Sequence, residues 1–224
     1  MRTANGMRSQ GRLDRAMGLF WERGYYDVSV DELVNRTGLH RAAVYDQFGS
    51  RQRLFEATLR RYRETIVADF FAELEQPNAG LAEIRQFFWA ISRAAARPEK
   101  RMGCLMINTT CEVSRNIRSV AHIVSRYLDE LRALFRQACI NARARRDVRR
   151  GADVEQVADY LLGSVLGLWT LARSPASTST VQHYVQGVLT FVDGLRPKSA
   201  DTRRTEPKGT RQGPSRSGAS ALSG

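Results

Sequence analysis

The chain has 224 residues, with 35 Lys and Arg against 23 Asp and Glu, which gives a formal net charge of +12. A hydrophobic fraction of 42% excludes a wholly disordered chain, and no uncharged apolar run is long enough to cross a bilayer. The amino-terminal residues lack the apolar stretch of a secretory signal, so we expect a soluble cytoplasmic protein with no membrane partner. The excess of positive charge indicates an anionic partner, with nucleic acid as the first expectation.

The first four predicted helices follow one another closely. Apolar residues at helical spacing predict a short first helix that ends at Gly24. Ser29 and Glu32 have the spacing of a capping box, which opens a second helix that stops near Gly38. A third helix extends to Phe48, and a longer fourth helix follows the next Gly-Ser break.

The rest of the chain also has apolar residues at helical spacing, and no strand-like alternation competes with them. The fold class we predict is therefore all-α, with about nine helices. We divide the chain into an amino-terminal domain over residues 9–60, a helical bundle over 61–195 and a tail over 196–224. The tail is rich in Gly, Ser, Pro and Thr and has almost nothing to bury, which predicts a disordered basic segment.

The second and third predicted helices have the layout of a helix-turn-helix. Their inward positions are apolar: Leu33, Val34, Leu39, Val44 and Phe48. The outward positions of the third helix carry side chains that suit a major groove: His40, Arg41, Ala43, Tyr45 and Gln47. Arg41 is best placed to read a guanine edge or hold a phosphate, because its guanidinium can donate two parallel hydrogen bonds. An ordinary helical hairpin would show the same pattern, so the pattern alone leaves both interpretations open.

Residues 13–62 resemble the DNA-binding domain of the TetR/AcrR-type transcriptional repressors. The matching positions cover the first four helices: Phe20, Gly24, Ser29, Gly38, Tyr45, Phe48, Ser50, Arg51 and Leu54. The sequence departs from the family pattern at His40, usually a small capping residue, and at Ala43, often Thr or Ser.

The resemblance implies a role for each outward residue. Ser29, Tyr45 and Arg51 would hold phosphates. Four residues would face base edges: Arg41, Ala42, Ala43 and Gln47. His40 would add a base or phosphate contact in place of the usual cap. The expected partner is a double-stranded DNA operator.

The resemblance also implies that the helices after the fourth form a ligand-binding and dimerisation domain. The helix over 153–173 carries a second apolar stripe opposite its first one: Ala158, Leu162, Val165, Trp169 and Ala172. One stripe would pack within its own domain, and the other would face a second copy of the chain, together with the helix over 181–195. Three small residues would allow the helices to cross closely: Gly163, Ser164 and Gly167. Burial of both stripes within a monomer is the alternative.

Bulky apolar residues of this domain are candidates for the cavity of an apolar small-molecule effector: Phe87, Phe88, Trp89, Met102, Cys104, Met106, Phe135 and Trp169. The same residues equally suit a plain hydrophobic core. The sequence contains no cofactor or metal motif, so we expect neither. The sequence likewise shows no catalytic constellation, so an enzyme is not expected.

A cysteine-containing run leaves a further alternative. Gly103, Cys104 and Leu105, followed by Asn108 and Glu112, resemble a run in a branch of these repressors that includes sensors of electrophiles and oxidants. Cys104 and Cys111 would share a helical face, with nearby arginines at 101 and 115 favouring a thiolate. An inert, buried cysteine is the competing interpretation.

The sequence-based hypothesis is a homodimeric, ligand-responsive repressor of a palindromic operator, which effector binding in the carboxyl-terminal domain would release from DNA. A repressor that senses thiol-reactive compounds through Cys104 is one alternative. A basic protein that binds nucleic acid or membrane surfaces without reading sequence is another.

Overall fold

The computed structural model describes residues 4–38, 40–96, 102–113 and 116–197, with side chains from residue 10 onward. Leu39, the predicted tail beyond residue 197, and the arginines at 101 and 115 lie outside these ranges. All regular elements in these ranges are helical, which confirms the predicted all-α fold class. In the same part of the chain, no helix has the length and apolar character needed to cross a membrane.

Within the described ranges, nine helices follow one another in chain order, in agreement with the expected number of about nine. They are α1 (Ala4–Arg23), α2 (Val30–Thr37), α3 (Arg41–Phe48), α4 (Arg51–Phe71), α5 (Leu81–Ala95), α6 (Leu105–Glu112), α7 (Arg118–Ala144), α8 (Val154–Arg173) and α9 (Thr178–Asp193). Helix α4 is continuous but not uniform. An α-helical part (Arg51–Tyr62) passes through a π-helical turn (Arg63–Val67) into a last α-helical turn (Ala68–Phe71).

Local capping explains the boundaries of α2. The Ser29 hydroxyl accepts a hydrogen bond from the Glu32 N–H at 3.2 Å, and the Glu32 carboxylate accepts one from the Ser29 N–H at 2.9 Å. This confirms the predicted capping box. Gly24 and Gly38 end α1 and α2 with φ values of 88° and 66°, a region that glycine enters without steric cost. Helix α1 is longer than predicted, because its first turns are polar and carry no apolar stripe for periodicity to detect.

The amino-terminal unit consists of α1, α2, α3 and the first part of α4. Helix α1 packs against α2 and α4, and α3 packs against α4. Phe20 and Phe55 meet edge to face at the centre of this unit, with ring centroids 4.9 Å apart. An ion pair between Asp14 and Arg61 at 2.8 Å joins α1 to α4 on its outer side. The two long helices therefore form a frame on which the shorter α2 and α3 sit.

The carboxyl-terminal unit is a bundle of α5, α7, α8 and α9. Helix α7 lies along α8, and α9 packs against both α5 and α8. Phe88 on α5 stacks on Phe135 on α7 with ring centroids 6.0 Å apart, and both side chains are fully buried. The short α6 contacts α7 and α8 and connects the bundle to the amino-terminal unit.

Helix α8 requires a correction to the sequence-based interpretation. Four residues of the second apolar stripe are buried within the single chain: Ala158, Val165, Trp169 and Ala172. Leu162 is half-buried. That stripe therefore supplies no free surface for a partner. The face left exposed contains Tyr160, Gly163 and Thr170 instead, because α7 and α9 cover more of α8 than two opposed stripes suggest.

Candidate DNA-binding surface

Helix α3 presents most of its surface to the outside. Val44 is fully buried, while Ala43 and Phe48 are partly buried against the core of the amino-terminal unit. The remaining predicted contact residues are exposed: His40, Arg41, Ala42, Tyr45 and Gln47. The structure thus brings these side chains together on one outward surface. Their contacts with DNA stay predictions.

The helix is held at both ends by its neighbours. Gly38 turns the chain before it, and Gly49, with a φ of 75°, turns the chain after it. Ser50 then caps α4 by accepting a hydrogen bond from the Arg53 N–H at 3.1 Å. His40 occupies the N-cap position of α3 but makes no side-chain capping hydrogen bond. The departure from the family pattern at His40 therefore leaves its imidazole exposed and without a capping role.

Ser29 and Glu32 form a closed local pair at the start of α2. The Ser29 hydroxyl accepts from the Glu32 N–H and lies 3.0 Å from the Glu32 carboxylate. Hydrogen bonds from Ser29 lower the pKa of Glu32, with its ion pair to Arg23 acting in the same direction. A phosphate contact by the Ser29 hydroxyl would thus compete with a bond already made.

Arg41 is paired with an acidic residue that the sequence analysis did not single out. Its Nη2 donates to Oδ1 of Asp31 at 2.5 Å, and both side chains are largely exposed. This hydrogen bond raises the pKa of Arg41. Asp31 lies ten residues away in the first turn of α2, where an acid interacts favourably with the helix dipole. A helix-turn-helix alignment could have flagged the pair, because the layout brings the start of α2 beside the start of α3.

Arg51 was expected to hold a phosphate, and the structure gives its guanidinium an intramolecular role. Its Nη1 donates to the carbonyl oxygens of Tyr25, at 3.0 Å, and Val28. The guanidinium also lies over the Tyr25 ring, 4.1 Å from its centroid. Arg51 therefore braces the loop between α1 and α2 against α4.

Helix α4 connects the recognition region to the bundle. Gln52 donates to the Ser119 hydroxyl on α7 at 3.0 Å, and that hydroxyl donates to the largely buried Glu56 at 2.6 Å. A second connection runs through α6, where Glu112 accepts from the Tyr26 N–H at 2.9 Å. A displacement of α4 or α6 would thus be transmitted to the frame that carries α3.

The residues predicted to line an effector cavity do not surround one common space. Phe87, Phe88 and Phe135 pack on one another in the bundle core. Trp169 meets Phe70 edge to face, whereas Trp89 is 43% exposed on the outside of α5. This corrects the prediction, because spacing along a helix cannot distinguish a core aromatic from an exposed one a single residue away.

Met102, Cys104 and Met106 lie apart from the phenylalanine core. Met102 is half-buried, and its carbonyl oxygen accepts hydrogen bonds from Asn108 and Arg173. Met106 contributes to a cavity of about 540 Å³ between α4 and α7. This cavity is lined by Arg60, Arg63, Glu64, Met106, His122, Ile123, Arg126, Tyr127 and Glu130. A second cavity, of about 580 Å³, lies where the ends of α1, α6 and α8 meet, and exposed Cys111 is part of its lining.

The two cysteines of the run do not share a face. Cys104 precedes α6, is buried, and has its sulfur 3.7 Å from the Tyr127 hydroxyl. Burial raises the pKa of the Cys104 thiol, which disfavours the reactive thiolate. Cys111 is exposed on α6. The predicted common face is therefore wrong, since the helix begins only after Cys104. The environment of Cys104 is that of a structural thiol.

Comparisons with known proteins agree with this architecture. Residues 13–58 match the family described as bacterial regulatory proteins, tetR family, and residues 80–188 match the tetracyclin repressor-like carboxyl-terminal domain. The HTH-type transcriptional repressor ComR of Escherichia coli (strain K12) is 31% identical over 170 residues, which cover 74% of this chain and 79% of ComR.

Known structures share the fold. A TetR transcriptional regulator from Chloroflexus aurantiacus superposes with a TM-score of 0.77 at 23% identity, covering 88% of this chain and 98% of that one. A cysteine mutant of the TetR family regulator CifR, complexed with 26-bp double-strand operator DNA, gives a TM-score of 0.73 at 22% identity. That match covers 81% of this chain and 94% of CifR.

Proposed function

The chain belongs to the tetR family of bacterial regulatory proteins, and from this premise we propose that it is a homodimeric repressor that an effector releases from a palindromic operator. The observation that carries the proposal is the outward face of α3. It offers Arg41, Tyr45 and Gln47 to a major groove, while α2 and α4 hold the helix from behind. Small Ala42 would let the backbone approach the bases closely.

Salt dependence tests the electrostatic part of this proposal. If a dimer neutralises about eight phosphates, the logarithm of its affinity should fall with the logarithm of salt concentration at a slope near −7. The measurement is fluorescence anisotropy of a duplex selected by the protein from random DNA, between about 50 and 200 mM salt. A flat response would contradict binding through contacts with phosphates.

The exposed faces of α8 and α9 support a homodimer. Tyr160 and Phe191 contact each other at a centroid distance of 4.1 Å, and exposed Gly163 and Gly187 lie on the same two helices. Two such pairs of helices would form an isologous four-helix interface, and small residues permit a close crossing. A symmetric dimer places two copies of α3 for half-sites one helical turn apart.

Gly163 offers a clean test of the dimer. A Cβ at this position would meet no atom within 4 Å, so Gly163→Arg should leave the folded chain intact. In the proposed interface it would place one large cation from each copy against the other copy. Light scattering should therefore report a monomer for Gly163→Arg and a dimer for the control Ala82→Arg, on the exposed side of α5. A dimeric Gly163→Arg protein would exclude this interface.

The cavity between α4 and α7 is the effector site that the geometry supports best. Met106, Ile123 and Tyr127 supply apolar lining, and Arg60, Arg63 and Arg126 lie around the cavity together with Glu64 and with Glu130, which is paired with Arg63. An effector with an apolar body and an acidic group that pairs with Arg126 fits this lining. The π-helical turn that starts at Arg63 is a further sign of function, because such turns recur at functional sites. Preferential binding to one arrangement of α4 would supply a coupling of about 1–3 kcal/mol.

A charge reversal at the cavity tests this site. Arg126 is exposed on α7 and lines the cavity, whereas Arg143 is exposed on the same helix and does not line it. Compounds that release the wild-type protein from its selected duplex should act more weakly on Arg126→Glu and unchanged on Arg143→Glu. Equal responses of the two variants would place the effector elsewhere.

A further inference from the structure

The first turn of α2 carries an acid on the surface that would face DNA. Asp31 lies two residues after Ser29, and 74% of its side chain is exposed. A carboxylate here repels the phosphates that the rest of the surface would attract. General attraction to DNA therefore gives no reason for an acid at this position.

The contact that Asp31 makes suggests what it does. Its Oδ1 accepts the hydrogen bond from Nη2 of Arg41 at 2.5 Å, across the turn between α2 and α3. Arg41 is the first residue of α3, where a recognition helix meets the base edges. A long arginine side chain has much rotamer freedom, and a carboxylate held on a neighbouring helix restricts it. The other guanidinium donors stay available to a base.

We propose that Asp31 is a positioning residue that determines sequence specificity by orienting the Arg41 guanidinium toward one base pair of each half-site. The expected base is guanine, whose O6 and N7 accept two parallel hydrogen bonds from an arginine. The inference rests on the proposed function, since it presupposes that α3 reads an operator.

The pair of Asp31 and Arg41 would also disfavour contacts between Arg41 and phosphates. An unpaired arginine binds phosphate wherever the backbone passes, irrespective of sequence. Because Asp31 both compensates the Arg41 charge and repels phosphate, it makes this sequence-independent use of Arg41 less favourable. The carboxylate thus lowers affinity for DNA in general and raises the preference for the correct site.

A simpler role for Asp31 predicts different results. An acid in the first turn of a helix interacts favourably with the helix dipole, and an exposed ion pair contributes little to stability. If Asp31 served only this role, its removal would slightly affect melting and would leave base preference unchanged. Base preference is therefore the readout that separates the two roles.

The experiment is selection of bound duplexes from random DNA by the full-length protein and its variants. Asp46 supplies the matched control, because it is another exposed carboxylate and lies about 140° around α3 from Arg41. Asp31→Asn and Asp46→Asn each remove one negative charge and should both bind scrambled duplexes more tightly. Asp31→Asn alone should lose preference at one base pair per half-site, by roughly tenfold. Arg41→Ala should lose preference at that same base pair.

Two additional variants test the coupling. In an Arg41→Ala background, Asp31→Asn should cause no further loss of preference, because the residue through which Asp31 acts is absent. Asp31→Glu should restore part of the preference, since it keeps a carboxylate near Arg41. Circular dichroism and melting curves establish that each variant is folded.

The possible results are distinct. An unchanged preference in folded Asp31→Asn, or an equal change in Asp46→Asn, would overturn the role of Asp31 and leave the proposed function standing. A wild-type protein that selects no sequence at all would overturn both.

Discussion

Helices α3 and α8 differ in how much of their surface is buried in the protein. Helix α3 has eight residues and fully buries only Val44, so its position is set by α2 and α4, which pack against it. Helix α8 has twenty residues, nine of which are buried in the bundle. The comparison indicates that exposed side chains on α3 can be replaced with little effect on stability. Replacing buried side chains of α8 or of the helices packed against it should destabilise the protein.

The largest expected effect tests the bundle. Phe88→Ala should lower the free energy of unfolding by about 3–5 kcal/mol, because it empties space between fully buried aromatic rings. The neighbouring Trp89 is 43% exposed, and Trp89→Ala should stay within about 1 kcal/mol of the wild type. Urea denaturation followed by circular dichroism measures both. Similar losses for the two variants would mean that Trp89 is covered in solution.

The next effect tests α3. Arg41→Ala should weaken binding to the selected duplex by about 1–3 kcal/mol per half-site and should leave the melting temperature close to the wild-type value. Anisotropy titrations with selected and scrambled duplexes separate the two contributions. An equal loss on both duplexes would assign Arg41 to a phosphate instead of a base.

Arg51 lies close to α3, but its guanidinium is hydrogen-bonded within the protein. Arg51→Ala should lower the free energy of unfolding by about 2 kcal/mol, through the loss of charge-assisted hydrogen bonds and the contact with Tyr25. Arg53→Ala removes an exposed arginine two residues away and serves as the control. A destabilisation no greater than that of Arg53→Ala would contradict the bracing role and return Arg51 to the predicted phosphate contact.

The smallest effect concerns the cysteines. A thiol reagent should label exposed Cys111 rapidly in the native protein, while Cys104 and Cys139 should react slowly. Burial raises the pKa of Cys104 and raises that of Cys139 to about 11. The thiolate fraction at both sites therefore grows only as the pH rises past the usual thiol range. Mass spectrometry of labelled peptides measures this, and rapid labelling of Cys104 at neutral pH would revive a thiol-sensing function.

Local signals in the sequence predicted more of the amino-terminal unit than of the bundle. Caps at Ser29 and glycines at 24 and 38 act on adjacent residues, so reading the sequence locates the ends of α2 correctly. The face that α8 leaves exposed depends on where α7 and α9 lie, which no short pattern encodes. The same limit explains why Trp89 was predicted, with Phe88, to line a cavity, whereas its side chain is exposed on the outside of α5.

The contact surface shows the same division. The exposed side chains on α3 follow from the helical period, so Arg41, Tyr45 and Gln47 could be named from sequence. The partners of Arg41 and Arg51 could not, because Asp31 and the carbonyl oxygens of Tyr25 and Val28 come from segments brought near by the turn and loop. Side-chain pairing across a turn is a property of the assembled unit.

Footprinting of the selected duplex tests the central claim most directly. A homodimer that reads DNA with two copies of α3 should protect a discrete, two-fold symmetric site whose half-sites are centred about 10 bp apart or at a multiple of that spacing. The Gly163→Arg variant should lose this symmetric protection at protein concentrations that saturate the wild-type site. Uniform protection along every duplex, regardless of sequence, would contradict the account and indicate a basic protein that binds DNA without reading it.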